Sequence, residues 1–173
     1  MNLKIRNETK KDFSTITNVN DLAFKQTNEG KLVESLRIST GFISELSLVA
    51  LTDDKVVGHI LFYPVKIKSA ENEYETLSLA PMSVLPEYQH KGIGSKLVLA
   101  GLEKAKELGY KSVIVLGHPN YYPKFGFEPA SRWKITAPFD APDEAFIALE
   151  LVEGELINKS GTVEYPHEFF EAL

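Results

Sequence analysis

Residues 84–97, which read VLPEYQHKGIGSKL, constrain this chain more than any other stretch. An apolar, strand-like run from Leu77 to Leu85 is followed by a basic loop with Gly92 and Gly94, and apolar residues at helical spacing begin at Ile93. The first N–H groups of a helix have no partner within it, and the helix dipole adds partial positive charge there. Glycines let an anion approach the backbone closely. This order therefore predicts a site for a phosphate or pyrophosphate group.

Two nucleotide-binding motifs compete for the same loop and fit it poorly. The triphosphatase loop requires G-x-x-x-x-G-K-[ST], but Gly94 is followed by Ser95 and then Lys96, and no glycine precedes Gly94 by five residues. The dinucleotide fingerprint G-x-G-x-x-G has Gly92 and Gly94 in place, but Leu97 occupies the position of its third glycine. A further alternative is structural, in which both glycines serve only a turn between a packed strand and helix.

Composition excludes several classes of function. The 173 residues fit one domain and contain no cysteine, which excludes disulfides, zinc–thiolate sites and cysteine nucleophiles. The four histidines are scattered, so no metal site is visible, and His59 falls in an apolar strand where we expect it to be packed in the core. No apolar run approaches the ~18 residues of a membrane span. A net charge of −5 with mixed signs disfavours nucleic acid as a partner. Because the N-terminus also lacks a signal-peptide core, we expect a cytoplasmic protein.

The pattern along the chain predicts an α/β fold with one mixed sheet and helices on both faces. We expect a first strand at 3–6, a helix that follows a capping box at 9–12, and a second helix at 28–39. Strands at 46–51, 56–67 and 77–85 come next, the first two joined by a tight turn at 52–55. The remaining expected elements are the helix from Ile93 to Gly109, a strand at 112–116, a helical turn at 120–124 and a late strand at 146–152.

Two motifs in the second half of the chain point to a known family. Gln89, Gly92 and Gly94 form the pattern Q-x-x-G-x-G, and Tyr122 stands four residues before the pair Gly126-Phe127. In this order they closely resemble the pyrophosphate loop and the late tyrosine motif of the GNAT superfamily, the acetyl-coenzyme A-dependent N-acetyltransferases. The chain also resembles a bacterial subgroup of predicted acetyltransferases with no settled substrate, through the runs 79–81, 115–119 and 138–139 and the pair Tyr121-Tyr122.

The resemblance implies a GNAT fold, with a mostly antiparallel central sheet in which the parallel strands 77–85 and 112–117 splay apart. It implies one N-acetyltransferase domain over residues 1–173, with a core of about 1–152 and a C-terminal extension of 153–173. Acetyl-coenzyme A is the implied co-substrate, and no metal is implied. The implied cofactor-binding residues are Met82, Ser83, Val84, Gln89, His90, Lys91, Gly92, Ile93, Gly94, Ser95 and Tyr121.

The resemblance also makes Tyr122 the candidate catalytic acid, which would protonate the leaving thiolate. A phenol with a pKa of ~10 protonates a thiolate with a pKa of ~8.5 only when it is well positioned. Tyr121 is the alternative donor, and a third alternative is that both rings only pack beneath the cofactor. No general base stands out, because Met82 and Ser83 stand on the strand where many relatives have a carboxylate. The open alternatives are Glu29, Glu34, Glu87, His118 and a chain of water molecules.

The implied reaction is transfer of an acetyl group from acetyl-coenzyme A to a primary amine by direct attack on the thioester. The acceptor is left open between a small-molecule amine, a peptide N-terminus and a protein lysine. One rival is a coenzyme A-binding sensor or pseudoenzyme, which would keep residues 89–94 and need no acid. Another is a nucleotide-binding module, disfavoured by the departures from both nucleotide motifs. We expect no nucleic acid or membrane partner, and pairing of the exposed late strands would give a homodimer.

Overall fold

The structure, a computed structural model, describes residues 1–171. The longest helix has 15 residues, and no helix in this part of the chain is both long and apolar enough to cross a membrane. The helices are α1 (Phe13–Phe24), α2 (Asn28–Arg37), α3 (Ile93–Glu107) and α4 (Glu168–Glu171). The strands are β1 (Leu3–Asn7), β2 (Ser47–Thr52), β3 (Lys55–Lys68), β4 (Glu73–Val84), β5 (Ser112–Leu116), β6 (Glu128–Pro129), β7 (Ile135–Thr136), β8 (Phe146–Glu150) and β9 (Gly161–Glu164).

The chain divides into two compact units. Unit 1 comprises Met1–Tyr63, Ala80–Lys104 and the segment that begins at His167, and unit 2 comprises Pro64–Leu79 and Ala105–Pro166. Three elements, β3, β4 and α3, run from one unit into the other. The single N-acetyltransferase domain over residues 1–173 stays a prediction.

Unit 1 contains an antiparallel sheet in which β2 lies between β1 and β3. The predicted turn between β2 and β3 is confirmed. Its two central residues, Asp53 and Asp54, have φ values of 51° and 63°, as a two-residue hairpin turn of type I′ requires. The two predicted helices are confirmed as α1 and α2, and each buries an apolar face, through Ile16, Val19, Leu32, Val33 and Leu36.

A buried polar network ties the elements of unit 1 together. Arg37 donates two hydrogen bonds to the Glu8 carboxylate, at 2.8 and 3.2 Å. Ser47 Oγ donates its single proton to the same carboxylate, so it must accept from Nε2 of His59, 2.9 Å away. This assigns the neutral Nε2–H tautomer to His59, whose Nδ1 lies 3.5 Å from Nδ2 of Asn20. The network connects the end of β1 with α1, α2, β2 and β3.

Unit 2 is built on strands that pair in both directions. β4 and β5 are parallel, with Leu77 opposite Val113 and Ser78 opposite Ile114. β8 pairs antiparallel with both β5 and β6. β9 pairs antiparallel with β3 and parallel with β7. The core of this unit is apolar and includes Val65, Ile67, Ile114, Ala130, Ile135, Phe146, Ala148, Leu156 and Val163.

The predicted fold class is confirmed, because the chain forms a mixed sheet with helices. The predicted start of β4 is wrong, since the strand begins at Glu73 and not at Leu77. Charged residues near the start of this strand interrupt the apolar pattern by which it would be recognised in the sequence. In the structure, the Glu73 carboxylate lies 3.1 Å from Nζ of both Lys66 and Lys68 on β3, so the charge has partners across the strands.

The late part of the chain holds elements that the sequence did not predict. β6 and β7 have two residues each and β9 and α4 have four, too few for a periodic pattern to show. The late strand predicted at 146–152 is confirmed but ends at Glu150. The predicted extension 153–173 contributes β9 to unit 2 and α4 to unit 1, and its residues 172–173 lie outside the described residues.

We predict that His59 makes the protein less stable as the pH falls below about 6.5. His59 is completely buried, and burial together with the positive charge of Arg37 lowers its pKa from 6.5 to about 3. The unfolded chain therefore binds this proton first, and stability present above pH 6.5 is lost progressively toward pH 3. Between pH 7 and pH 5 the loss from this one group is about 2 kcal/mol.

Urea unfolding of wild type and His59→Gln at pH 7 and pH 5 measures this loss. Between the two pH values, the free energy of unfolding should fall by about 2 kcal/mol more in wild type than in His59→Gln. His118→Gln is the control, because it removes a histidine from an exposed position instead of a buried one. An equal fall in stability for wild type and His59→Gln would contradict the prediction.

Candidate functional site

The segment between β4 and α3 in unit 1 is a tight loop with a defined backbone. After a 3₁₀ turn at Pro86–Tyr88, Gln89 is extended, and His90 and Gly92 adopt positive φ values of 62° and 82°. The segment is tied to β3 where Leu85 N–H donates to the Val57 carbonyl at 2.8 Å. The loop therefore delivers the chain to the start of α3 in a fixed direction.

Gly92 is required by its backbone conformation. A Cβ built at this position would meet no atom within 4 Å, so lack of space is not the reason for glycine. Its φ of +82° is a conformation that side-chain-bearing residues rarely adopt. Open space at Gly92 also leaves the backbone accessible to a ligand.

The first turn of α3 presents backbone N–H groups next to this loop. Lys96 N–H donates to the Gly92 carbonyl at 3.2 Å, and the N–H groups of Ile93 and Gly94 lie too early in the helix for a carbonyl partner within it. Ile93 is 1% exposed and anchors the helix start in the core. This arrangement, with the positive end of the helix dipole, suits an anion.

The side chains of the loop divide into one brace and several cations. Gln89 Nε2 donates to the Val84 carbonyl at 3.0 Å, which holds the loop against the end of β4. His90, Lys91 and Lys96 are exposed. Gln89 therefore stabilises the loop conformation, while the exposed side chains of His90, Lys91 and Lys96 are available to an anion.

The end of β4 supplies the predicted cofactor-binding residues Met82, Ser83 and Val84. Met82 is half-buried, whereas Ser83 and Val84 are buried. Ser83 Oγ has no hydrogen-bond partner, which costs about 1–3 kcal/mol in the folded state. Unit 1 thus brings together Met82–Val84 and residues 89–95 of the predicted site.

Tyr121 and Tyr122 belong to unit 2, where a 3₁₀ turn at Tyr122–Phe125 is capped by Gly126 with φ of +101°. The predicted helical turn is therefore confirmed and starts two residues later than expected. The Tyr122 ring is 7% exposed, and its centroid lies 5.1 Å from that of Tyr121 and 5.6 Å from that of Phe127. The residues of the tyrosine motif thus form one aromatic cluster.

Gly117 is a residue that sequence reasoning did not assign to the site. A Cβ at this position would lie only 2.6 Å from Cδ2 of Tyr122. Gly117 N–H is also bonded to the Ala145 carbonyl at 2.9 Å, which fixes this backbone. Gly117 therefore makes room for the Tyr122 ring, and the only sequence signal was a glycine directly after a buried strand.

The two tyrosines differ in environment. Burial raises the pKa of Tyr122 well above its ordinary value of 10, and the neighbouring Tyr121 raises it further. Tyr122 therefore stays protonated throughout the physiological range and can act as a donor. Tyr121 is only half-buried, and Nζ of Lys124 lies 4.0 Å from its ring centroid.

The four candidate general bases lie on separate segments of the chain, and no contact described for them singles one out. Glu29 in α2 is half-buried and accepts hydrogen bonds from Gln26 at 2.5 and 2.9 Å. Glu34 is exposed and accepts from Thr17 Oγ1 at 2.8 Å. Glu87 and His118 are exposed. Among residues 1–171, no three histidine or carboxylate side chains converge as a metal site would require.

Comparison with known proteins assigns the chain to a family. Residues 4–130 match the family model described as an acetyltransferase (GNAT) domain. The uncharacterized N-acetyltransferase YjhQ of Escherichia coli K12 is 40% identical over 136 residues, which are 78% of this chain and 75% of that protein. The uncharacterized N-acetyltransferase YhbS of the same strain is 35% identical over 149 residues, which are 86% of each chain.

Solved structures agree with the family model. The crystal structure of Escherichia coli YhbS in complex with CoA superimposes with a TM-score of 0.90 at 31% identity, covering 97% of this chain and 92% of that chain. A GNAT family acetyltransferase from Brucella melitensis, crystallised with acetyl-CoA, gives a TM-score of 0.79 at 34% identity and covers 97% of this chain and 98% of that chain. With a family model over residues 4–130 and relatives above 30% identity along most of its length, this chain belongs to the GNAT family of acetyltransferases.

Proposed function

We propose that this N-acetyltransferase transfers the acetyl group of acetyl-CoA to a primary amine by direct attack on the thioester. The observation that carries the proposal is the loop between β4 and α3, where positive φ at Gly92 directly precedes the first N–H groups of a helix. The crystallised relatives support it, since YhbS was crystallised with CoA and the Brucella protein with acetyl-CoA.

The reaction sets the chemical requirements. The amine nitrogen attacks the carbonyl carbon, the C–N bond forms, and the C–S bond breaks as the tetrahedral intermediate collapses. The amine must lose one proton, and the leaving thiolate must gain one. The enzyme therefore needs an anion site for the coenzyme, a donor to the carbonyl oxygen, an acceptor for the amine proton and an acid for the sulfur.

The loop is the proposed anion site. The pyrophosphate would accept hydrogen bonds from backbone N–H groups of residues 90–95, as family resemblance suggests. His90, Lys91 and Lys96 are exposed around these groups. Because backbone donors at a helix start are fixed in direction, they are organised before the ligand arrives.

The end of β4 is the proposed site of the pantetheine arm and the thioester. An extended arm with amide groups can hydrogen-bond to a strand edge as an added strand would. In this proposal, Met82 and Ser83 contact the arm, and the backbone N–H near Val84 polarises the acyl carbonyl. Family resemblance adds Tyr121 to the proposed cofactor contacts.

Tyr122 is the proposed acid that protonates the leaving thiolate. Its buried ring is held by Tyr121, Phe127 and the space left at Gly117, so its hydroxyl has a defined position. Its raised pKa keeps the proton in place but makes the phenol a weaker acid, so its contribution depends on geometry. The proton that the amine loses passes to one of Glu29, Glu34, Glu87 and His118, or to a chain of water molecules.

One observation favours a second candidate, a coenzyme A-binding sensor without turnover. From Leu77 to Val84, β4 carries no carboxylate, and a buried phenol with a raised pKa is a poor acid. Such a protein would keep the loop and use no proton donor. Coenzyme binding is common to both candidates, so turnover distinguishes them.

We predict that acetyl-CoA binds in calorimetric titration and that free thiol is released when a primary amine is added. The amine probes are a polyamine, free lysine, an amino sugar and a peptide with a free N-terminus. Binding with turnover of any probe supports the transferase. Binding without turnover favours the sensor, and absence of binding overturns both.

We predict that Gly92→Leu weakens acetyl-CoA binding at least about tenfold while the fold is kept. The matched control is Gly109→Leu, because Gly109 has a φ of +89° and equally open surroundings. Both variants should lose about 1–2 kcal/mol of stability from the forced backbone conformation. Only Gly92→Leu should lose affinity in calorimetry, and unchanged affinity in that variant would refute the loop assignment.

We predict that Tyr122→Phe lowers kcat about 100-fold and changes the Kd for acetyl-CoA by less than about twofold, since only a proton donor is removed. Tyr121→Phe is the matched control and should keep most of the activity. Because burial raises the pKa of Tyr122, ionisation of this residue should not lower the wild-type rate below about pH 10. Full activity in Tyr122→Phe would remove it as the acid, and a selective loss in Tyr121→Phe would move the role to Tyr121.

A further inference from the structure

Two lysines from separate segments of unit 1 converge on one aromatic ring beside the glycine loop. Tyr88 ends the 3₁₀ turn directly before Gln89. Nζ of Lys91 lies 5.5 Å from the centroid of the Tyr88 ring, and Nζ of Lys55, the first residue of β3, lies 5.9 Å from the same point. The two ammonium groups are therefore no more than about 11 Å apart, within the reach of flexible lysine side chains that turn toward one small anion.

The position of Lys55 is fixed by the fold. The type I′ turn at Asp53 and Asp54 places it opposite Thr52 in the β2–β3 hairpin. Two residues later, the carbonyl of Val57 accepts the Leu85 N–H that leads into the 3₁₀ turn. A lysine distant in sequence is thus presented beside the loop by two ordered backbone connections.

Neither lysine is neutralised by the protein. Asp53, Asp54 and Glu87 are near neighbours in sequence, but among the ion pairs of the described residues none includes Lys55 or Lys91. Both lysines are exposed. Two positive charges near one ring, neither of them paired with a carboxylate, form a suitable site for a doubly charged anion.

We propose that Lys55 and Lys91, gathered on the Tyr88 ring, bind the 3′-phosphate of the ribose of coenzyme A. The inference rests on the proposed function, which places the coenzyme at this loop. The coenzyme carries two separate anionic groups, a pyrophosphate and a phosphate monoester. The backbone N–H groups of α3 suit the first, which leaves the monoester, with a charge of about −1.5 to −2 at neutral pH, for the lysine pair.

The proposal gives the two lysines a role in selecting the coenzyme. A ligand with the same thioester, pantetheine arm and pyrophosphate but no 3′-phosphate would lose only this contact. Because the lysines are exposed, each should contribute modestly and should be weakened by salt. This contact contributes to binding of the coenzyme, so the rate of the chemical step should not depend on it.

The experiment compares acetyl-CoA with acetyl-3′-dephospho-CoA by calorimetry at low salt, for wild type, Lys55→Ala, Lys91→Ala and the control Lys31→Ala. Lys31 is exposed on α2 and takes part in no ion pair of the described residues, so it matches the change in charge. Wild type should bind acetyl-CoA more tightly than the dephospho form. Each of Lys55→Ala and Lys91→Ala should weaken acetyl-CoA binding about threefold to fivefold and should weaken binding of the dephospho form clearly less.

The results separate this inference from the proposed function. Equal affinity of wild type for the two ligands, or an equal loss for both ligands in the lysine variants, overturns the inference while the coenzyme site stands. A loss in Lys31→Ala as large as in the other variants also overturns it, since the effect would then be general charge. Failure of wild type to bind either ligand overturns the proposed function and the inference with it.

Discussion

At Gly92 the backbone turns with φ of +82°, and α3 begins one residue later, held in the core by the buried side chain of Ile93. The candidate anion site depends on this turn, because it sets the direction in which the first N–H groups of the helix point. Gln89 braces the turn by donating to the carbonyl at the end of β4. Strand, turn and helix therefore act as one element, in which a change of backbone at a single residue alters the direction of every donor.

The polar network of unit 1 ties α1, α2, β2 and β3 to the end of β1. Buried charged and polar groups are costly unless each has a partner, and here the Glu8 carboxylate is shared between Arg37 and Ser47. A neutral His59 completes the set through Ser47. Although these side chains contain a serine, a histidine and a carboxylate, the serine donates to the carboxylate and the histidine donates to the serine, so no activated nucleophile results. Their role is to hold two helices and three strands in register.

The elements that could be predicted from the sequence are those that depend on hydrophobic periodicity or on residues typical of turns. The apolar faces of α1 and α2, the hairpin at Asp53–Asp54 and the helix start after Gly92 follow from local residue patterns. Short late strands such as β6 and β7 depend on pairing with partners elsewhere in the chain, which no local pattern shows. Contacts between distant segments are equally invisible in sequence, and for this reason neither the pairing of Glu8 with Arg37 nor the approach of Lys55 to Tyr88 was predicted. The cofactor-binding residues and the acid came from family resemblance and stay predictions.

Gly117 and Tyr122 compete for the same volume, since a Cβ at 117 would overlap the ring. The two positions therefore form a steric pair, in which a side chain at 117 requires the ring at 122 to be absent. A descendant that loses the aromatic ring at 122 gains room for a side chain at 117, and once that room is filled the ring cannot return by a single substitution. Gly117 thus keeps the space that a tyrosine at position 122 requires. A larger residue at 117 would exclude this tyrosine even in a protein that still folds.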